Sequence, residues 1–276
     1  MAIQLIVTDL DGTFLSDFYN VSEKNIRAVR AAKEKGVIIS ACTTRNWAMA
    51  KGIVRWGELN GAAACCNGAS YMRVKDGFVL DRHCLPQDSI EALVKISLEY
   101  GGKVALYSHE QTLMEPNTAP KHYTWIREEW NKHPLPQRIP VTKCESIEEM
   151  VILGQEDTEL IEVFSRDGNP MPEEWKQSVL ALGQFYIAEP NRGCYHVTFG
   201  KASKLNAAKT LAKKLGLDAA QVMCLGDAYS DSEMIQWAGI GVAMGNAEEG
   251  IKPLADFVSK KNNEDGFAYA LEKFVL

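Results

Sequence analysis

The sequence predicts an α/β fold in which a parallel β-sheet domain is interrupted by an inserted α+β domain. Three observations support this prediction: short apolar runs that end in small or polar residues, helical patterns between those runs, and a long middle stretch in which the alternation stops. Continuously apolar runs are typical of strands buried on both faces of a parallel sheet. They occupy residues 3–8, 37–41, 62–66, 222–225 and 240–243. With 276 residues, the chain is long enough for about two domains.

The segment between the first two apolar runs has the pattern of an amphipathic helix. Ile26 and Val29 recur at helical spacing. Ser22 can cap the start of this helix and Gly36 can end it. Further helices are predicted near residues 88–100, 203–215 and 264–273. Helices that alternate with buried strands indicate an α/β sheet.

The middle of the chain follows a different pattern. A hairpin is predicted to turn at Asp76-Gly77, and the core alternation then pauses. From residue 86 onward a helix, a strand near residues 104–107 and proline-containing segments follow one another. This mixture predicts a separate α+β domain inserted within the first.

We place the domain boundaries where the pattern changes. The α/β core domain is predicted over residues 1–85 and 190–276, and the inserted domain over residues 86–189. The candidates for inserted-domain side chains that face a cleft are Trp125, Trp130 and His133.

The composition is that of an ordinary globular protein, with 46% hydrophobic and 24% charged residues. A net charge of -6 argues against general binding to nucleic acid or to anionic membranes. The sequence contains no run of 18 apolar residues, and its first apolar run is too short for a signal peptide. We therefore expect a cytoplasmic location, and the sequence predicts no particular oligomeric state.

Cysteine and histidine spacing predicts neither a disulfide framework nor a zinc site. The seven cysteines include no C-x-x-C pair, and the five histidines include no H-x-H or H-E-x-x-H pattern. Free thiols are typical of a reducing cytoplasm. The phosphate loop G-x-x-x-x-G-K-[ST] and the pattern G-x-G-x-x-G are also absent from the sequence, which disfavours a nucleotide-dependent kinase or dehydrogenase.

Two carboxylates follow the first predicted strand. Asp9 and Asp11 are separated by one residue, so both side chains would point the same way. Ligands of open α/β sheets bind outside the carboxyl ends of the strands, which favours a metal site or a nucleophile with a neighbouring acid/base. The alternative is a polar turn, since Asp11-Gly12 is a common turn pair. The spacing alone leaves both interpretations open.

A second acidic turn, with the sequence GDAYSD, follows the fourth apolar run. Ser230 or Asp231 can cap the helix that follows, and capping is compatible with a catalytic role. If the two strands are neighbours, Asp227 and Asp231 would meet the first two aspartates, and the carboxylates would repel one another unless a divalent cation neutralised them. Carboxylate oxygens at an exposed strand end suit Mg²⁺.

Two further segments could complete a phosphate site. Thr43 and Thr44 end the second predicted strand, where hydroxyl and backbone N–H groups beside a helix start can bind an anion, although an ordinary threonine cap is the alternative. Lys201 and Lys204 lie at the head of a strongly helical segment, where a cation opposes the helix dipole. A lysine that reaches a phosphate explains such a position, whereas Lys201 also fits a solvated lysine on a basic helix.

Four motifs in this order resemble the haloacid dehalogenase superfamily of phosphatases, and specifically its Cof-type branch with a large inserted cap domain. They are DLDGT at residues 9–13, CTTR with Thr43, SKLNAA with Lys204 and GDAYSD at residues 226–231. The segments CCNGA and IGVAMGNAEEG are also similar to family segments. The resemblance spans nearly the whole chain and implies a Rossmann-like parallel-sheet core with a cap that sets substrate specificity.

The resemblance also implies roles in catalysis. Asp9 would be the nucleophile that forms an aspartyl-phosphate, and Asp11 would protonate the leaving oxygen and then activate the attacking water. Thr43, Thr44 and Lys204 would bind the oxygens of the transferring phosphoryl group.

A magnesium site is implied as well. Mg²⁺ would be held by Asp9, the backbone carbonyl of Asp11 and Asp227, with Asp231 ordering the metal's surroundings from behind. The metal would offset the repulsion between an anionic nucleophile and an anionic phosphate.

We therefore expect a Mg²⁺-dependent phosphatase acting on a small phosphorylated metabolite, either a sugar phosphate or a phosphorylated cofactor such as pyridoxal phosphate. The alternatives are a phosphosugar mutase and a non-catalytic regulator that binds metal or phosphate. Thr44, Leu205 and Ser230 replace the family's usual Gly, Gly and Asn. None of these changes removes a charged catalytic group, so activity is expected.

Overall fold

The computed structural model describes residues 2–17, 19–116, 141–165 and 169–276. The candidate cleft residues Trp125, Trp130 and His133 lie outside the described residues.

The chain forms two compact units. The first comprises Met1–Arg45, Ile53–Asp81 and Ser203–Leu276. The second comprises Asn46–Gly52 and Arg82–Ala202, so its sequence interrupts that of the first unit.

The strands of the described residues are β1 (Leu5–Thr8), β2 (Ile38–Cys42), β3 (Ala62–Cys65), β4 (Ser70–Arg73), β5 (Val79–Arg82), β6 (Gly102–Ser108), β7 (Thr112–Met114), β8 (Val141–Lys143), β9 (Thr158–Ser165), β10 (Phe185–Asn191), β11 (Cys194–Phe199), β12 (Val222–Gly226), β13 (Ile240–Ala243) and β14 (Phe257–Val258). The α-helices of the same residues are α1 (Glu23–Glu34), α2 (Trp47–Trp56), α3 (Gln87–Glu99), α4 (Ile147–Gly154), α5 (Glu173–Ala181), α6 (Lys204–Lys214), α7 (Ser232–Trp237) and α8 (Gly266–Phe274).

The first unit contains a mainly parallel sheet in the order β14-β13-β12-β1-β2-β3-β4-β5. Neighbouring strands from β14 to β3 are parallel, and β4 is antiparallel to β3. All four residues of β1 are buried, as expected for an apolar strand between β12 and β2. The predicted α/β fold class, a parallel-sheet core with an inserted α+β domain, is confirmed.

Helices of the first unit pack on this sheet as the apolar pattern requires. Ala207 and Leu211 of α6 share a hydrophobic core with Leu5 of β1. Helix α1 begins directly after Ser22, whose hydroxyl oxygen accepts a hydrogen bond from the backbone N–H of Asn25 at 3.1 Å. The predicted cap is therefore present, and it satisfies one of the free N–H groups of the first helical turn.

The described residues of the second unit form a sheet of six strands in the order β10-β11-β9-β6-β7-β8. Apolar side chains of α3, α4 and α5 form a core on one face of this sheet, with Trp175 fully buried in it. Ile161 and Val163 of β9 belong to this core. Because side chains alternate along a strand, Glu162 between them lies on the other face.

The second unit extends further than the predicted insertion of residues 86–189. Strands β10 and β11 pair with each other, and β11 pairs with β9, so hydrogen bonding joins residues up to 199 to the second sheet. The assignment of the two units as catalytic core and cap stays a prediction. Among the described helices, none combines the length and the apolar character needed to cross a membrane.

Candidate active site

Three neighbouring strands of the first sheet end at the same edge. Asp9 follows β1, Asp227 follows β12 and Thr43 follows β2. Because these strands are parallel, their carboxyl ends lie together, which is where ligands of open α/β sheets bind.

Lys204 joins two of the predicted acidic residues. Its Nζ lies 2.9 Å from Oδ1 of Asp9 and 2.7 Å from Oδ1 of Asp231. The lysine side chain is only 2% exposed. Although burial disfavours the charged amine, the negative charges of Asp231 and Asp9 outweigh it and raise the pKa of Lys204. The structure therefore supports a buried cation, held charged by its acidic partners.

Asp231 fixes the loop that follows β12. Its Oδ2 accepts hydrogen bonds from the backbone N–H groups of Asp227 at 3.1 Å and Ala228 at 3.0 Å, while Oδ1 accepts from Lys204. The residue is fully buried. Its carboxylate thus holds both the lysine and the backbone of the neighbouring aspartate in place.

Asp227 lies in a crowded acidic environment. Thr13 donates a hydrogen bond from its hydroxyl group to Oδ1 of Asp227 at 2.7 Å. Burial, together with the negative charge of Asp231, raises the pKa of Asp227 to about 7. Burial also raises the pKa of Asp9 well above its usual value, although Lys204 opposes the effect. The negative charges of these carboxylates therefore exceed the positive charge of the neighbouring lysine. A bound metal cation would reduce the repulsion among them.

The chemistry of the site fits a divalent metal ion. Carboxylate oxygens of Asp9, Asp227 and Asp231 all lie within 4.8 Å of one another. Asp9 and Asp227 can each direct an oxygen to a metal, whereas both oxygens of Asp231 are held by Lys204 and backbone N–H groups. Hard oxygen ligands of this kind suit Mg²⁺. Gly12 keeps the approach to Asp227 open, since a Cβ atom at this position would lie 2.2 Å from Oδ2 of Asp227.

Asp11 is held outside this cluster by Arg45. The guanidinium donates from Nε to Oδ2 of Asp11 at 2.7 Å and from Nη2 to Oδ1 at 2.5 Å. Arg45 is buried, and its guanidinium carbon lies 5.0 Å from the centre of the Tyr19 ring. Sequence reasoning assigned no role to this arginine, although a cation placed directly after Thr43 and Thr44 at an acidic sheet edge was a usable signal.

The loop after β2 is fixed by backbone hydrogen bonds. The hydroxyl oxygen of Thr43 accepts from the N–H of Arg45 at 3.2 Å, and the carbonyl oxygen of Thr43 accepts from the N–H of Asn67 at 2.9 Å. Asn67 has the left-handed φ of 57°, which turns the chain after β3 toward this loop. Thr43 is fully buried, Thr44 beside it is half-buried, and Lys201 is exposed.

Comparison with known proteins identifies the family. A sequence model of haloacid dehalogenase-like hydrolases matches residues 6–271. The chain belongs to the haloacid dehalogenase-like hydrolase family. It is 31% identical to the Bacillus subtilis protein named "Putative phosphatase YxeH" over 99% of this chain and 98% of the relative. It is 28% identical to the B. subtilis 5-amino-6-(5-phospho-D-ribitylamino)uracil phosphatase YcsE over 99% of this chain and 96% of that protein.

A solved structure shows that the hydrolase fold is shared. The structure of a haloacid dehalogenase-like hydrolase from B. subtilis superposes with a TM-score of 0.81 at 22% identity, covering 98% of this chain and 99% of that chain. The predicted membership in the haloacid dehalogenase superfamily of phosphatases is confirmed, and with it the prediction of an enzyme, a phosphoric monoester hydrolase. Enzymes of this family generally use a divalent metal ion.

Proposed function

We propose that this hydrolase is a Mg²⁺-dependent phosphatase that removes phosphate from a small phosphorylated metabolite through an aspartyl-phosphate on Asp9. The observation that supports this proposal best is the buried contact between Asp9 and Lys204 beside Asp227 and Asp231. This arrangement places a nucleophile, a cation that can bind phosphate oxygens and carboxylate ligands for a metal at one edge of the sheet.

The first chemical step is a displacement at phosphorus. A carboxylate oxygen of Asp9 attacks the phosphorus atom, the bond from phosphorus to the ester oxygen breaks, and Asp11 gives its proton to the leaving oxygen. Arg45 holds the Asp11 carboxyl group in one orientation.

The second step releases inorganic phosphate. Asp11 takes a proton from a water molecule as that water attacks the phosphorus atom, and the bond from phosphorus to Asp9 breaks. Asp9 recovers its carboxylate and Asp11 recovers its proton, so the enzyme returns to its starting state.

The charged groups around Asp9 support both steps. Lys204, with Thr43 and Thr44, binds the oxygens of the transferring phosphoryl group, and the lysine lowers the repulsion between Asp9 and this group. Asp9, the backbone carbonyl of Asp11 and Asp227 would hold the metal, and Asp231 fixes the loop that carries Asp227. When bound, Mg²⁺ supplies positive charge that stabilises the phosphoryl group during transfer.

The family and the named relatives support a small phosphorylated metabolite as the substrate class. YcsE acts, by its name, on a compound that carries phosphate on a ribityl chain. We extend this to the proposal that the chain acts on sugar phosphates or on phosphorylated cofactors such as pyridoxal phosphate. We further propose that the second unit, which contains the predicted insertion of residues 86–189, forms the cap that selects the substrate and that the enzyme works in the cytoplasm.

The test is phosphate release from a panel of sugar phosphates, nucleotides and pyridoxal phosphate, measured with Mg²⁺ and with a chelator. Asp9→Asn removes the attacking carboxylate, and we expect turnover to fall by at least a thousandfold with the fold retained. Asp76→Asn is the matched control, since Asp76 pairs with Arg73 at an exposed turn. Near-normal turnover in Asp9→Asn would contradict the mechanism. Wild-type turnover that is unchanged by the chelator would contradict it as well. Phosphate transfer between positions of one sugar would identify a mutase instead.

A further inference from the structure

A second group of potential metal ligands lies in the sheet of the second unit. Glu162 stands on β9, and Cys194 and His196 stand on β11. The antiparallel register places His196 directly opposite Glu162. Cys194 comes two residues before His196 and therefore shares its face of the sheet. This is the face opposite the core formed with α3, α4 and α5.

The three side chains point their ligand atoms at one another. Oε1 of Glu162 lies 3.2 Å from Nε2 of His196 and 3.4 Å from Sγ of Cys194, and Sγ lies 3.8 Å from Nε2. A zinc ion with tetrahedral geometry separates its oxygen and nitrogen ligands by about 3.3 Å, and separates sulfur from either by about 3.5 Å. The oxygen–nitrogen and oxygen–sulfur spacings lie within about 0.1 Å of these values, and the sulfur–nitrogen spacing is about 0.3 Å longer.

We propose that Glu162, Cys194 and His196 form a binding site for a single zinc ion, with the fourth position left to water or another small ligand. One thiolate, one imidazole and one carboxylate are a donor set that zinc accepts and that differs from the all-oxygen set preferred by Mg²⁺. The three residues are 9% exposed or less, so their side chains are already shielded from water when no metal is bound. This burial lowers the free energy needed to order the ligands around a metal.

Tyr107 supports the proposed site from the neighbouring strand. Its phenolic hydroxyl group donates a hydrogen bond to Oε2 of Glu162 at 2.5 Å. This contact leaves Oε1 directed toward Cys194 and His196. Metal-binding carboxylates are commonly oriented by such a second hydrogen bond, and its loss weakens metal binding.

The competing interpretation is a hydrogen-bonded polar cluster that binds no metal. The same distances allow His196 and Cys194 to donate hydrogen bonds to Glu162. The two interpretations differ in whether a metal bonds to the thiolate, and that difference can be measured directly. The proposed zinc site lies wholly in the second unit and does not depend on the phosphatase proposal.

The first experiment uses the full chain, treated with a chelator and then titrated with Co²⁺ in the presence of excess Mg²⁺. Excess Mg²⁺ competes with Co²⁺ for the carboxylate cluster of Asp9, Asp227 and Asp231, and Co²⁺ serves as a coloured substitute for zinc. We expect one equivalent of Co²⁺ to produce a thiolate-to-cobalt charge-transfer band in the near ultraviolet, and zinc to abolish the band. Absence of the band in the wild-type protein would overturn the proposal without relying on any variant.

The second experiment assigns the ligands. Cys194→Ser is expected to lose the charge-transfer band, whereas Cys84→Ser, a half-buried thiol of the same unit outside the cluster, should keep it. Tyr107→Phe should keep the band and weaken zinc binding by about tenfold. Melting curves followed by circular dichroism establish that each variant is folded. A band that survives Cys194→Ser in a folded protein would refute the site.

Discussion

Gly12 is the residue at which one added methyl group would reach the proposed metal site. Its φ is +72°, and a Cβ atom there would meet Oδ2 of Asp227 at 2.2 Å. We expect Gly12→Ala to displace this carboxylate and to raise the Mg²⁺ concentration needed for half-maximal activity by at least tenfold. The measurement is activity against Mg²⁺ concentration.

Gly36→Ala is the control that separates the displacement of Asp227 from the backbone cost of alanine at a positive φ. Gly36 has a similar φ of +80°, but a Cβ atom there meets no described atom within 4 Å. Both substitutions should lower the free energy of unfolding by about 1 kcal/mol, since alanine disfavours this backbone conformation. An equal change in the Mg²⁺ requirement of both variants would contradict the role given to Asp227.

Arg45 offers a second prediction for a single side chain. Lysine keeps the positive charge but cannot donate two parallel hydrogen bonds to Asp11. We expect Arg45→Lys to lower kcat by at least tenfold while binding of inorganic phosphate changes little. Arg73→Lys is the matched control, because Arg73 makes a similar pair with Asp76 on the surface. If kcat is unchanged in Arg45→Lys, the arginine does not orient Asp11 for catalysis.

The proposed catalytic residues could be predicted from the sequence because they lie at the ends of strands. Asp9, Thr43 and Asp227 each follow a buried apolar run, and parallel strands bring such positions together. Arg45 stands in the quoted motif CTTR, but its pairing with Asp11 was not predicted because the two residues are 34 positions apart in the sequence. The cluster of Glu162 with the two β11 residues was not predicted for a similar reason. Its ligands are brought together by the antiparallel register of β9 and β11, which the spacing of residues along the sequence does not reveal.

At the scale of the element, the helix start before Lys204 carries a further prediction. Ser203 caps α6, accepting a hydrogen bond from the N–H of Asn206 at 3.2 Å, and Ser22 caps α1 in the same way. Ser203→Ala and Ser22→Ala should each lower the free energy of unfolding by about 1 kcal/mol. Only Ser203→Ala should also lower kcat, since Lys204 is the first residue of its helix. Urea denaturation measures the free energy of unfolding, and steady-state kinetics measures kcat. An equal kcat in the two variants would contradict the prediction that the cap of α6 positions Lys204.

Elements were predictable where a strand is buried on both faces. The apolar runs at residues 3–8 and 222–225 locate β1 and β12 within two residues at each end. Strand β14 has only two residues at the edge of the sheet, too few to give a pattern. In the second sheet, helices cover one face while polar residues such as Glu162 occupy the other. The strands there mix apolar and polar residues, and the sequence predicted few of them.

At the scale of the whole molecule, the two units have separate hydrophobic cores. Ligands that bind one unit should therefore stabilise that unit first. At a Mg²⁺ concentration one hundred times its dissociation constant, the expected stabilisation is about 2.7 kcal/mol. Hydrogen exchange followed by mass spectrometry should show slower exchange in β1 and β12, with β9 and β11 unchanged. Equal slowing in both sheets would show that the units unfold together.

The sheet order of the first unit has a consequence for protein synthesis. Leu5 of β1 pairs with Val222 of β12, so the ribosome makes most of the chain before this pairing can form. Residues 82–202 of the second unit are complete earlier and can fold while synthesis continues. The unit that begins first is thus finished last. Until β12 emerges, one edge of β1 stays unpaired in the nascent chain, and an apolar strand with an exposed edge is prone to aggregate.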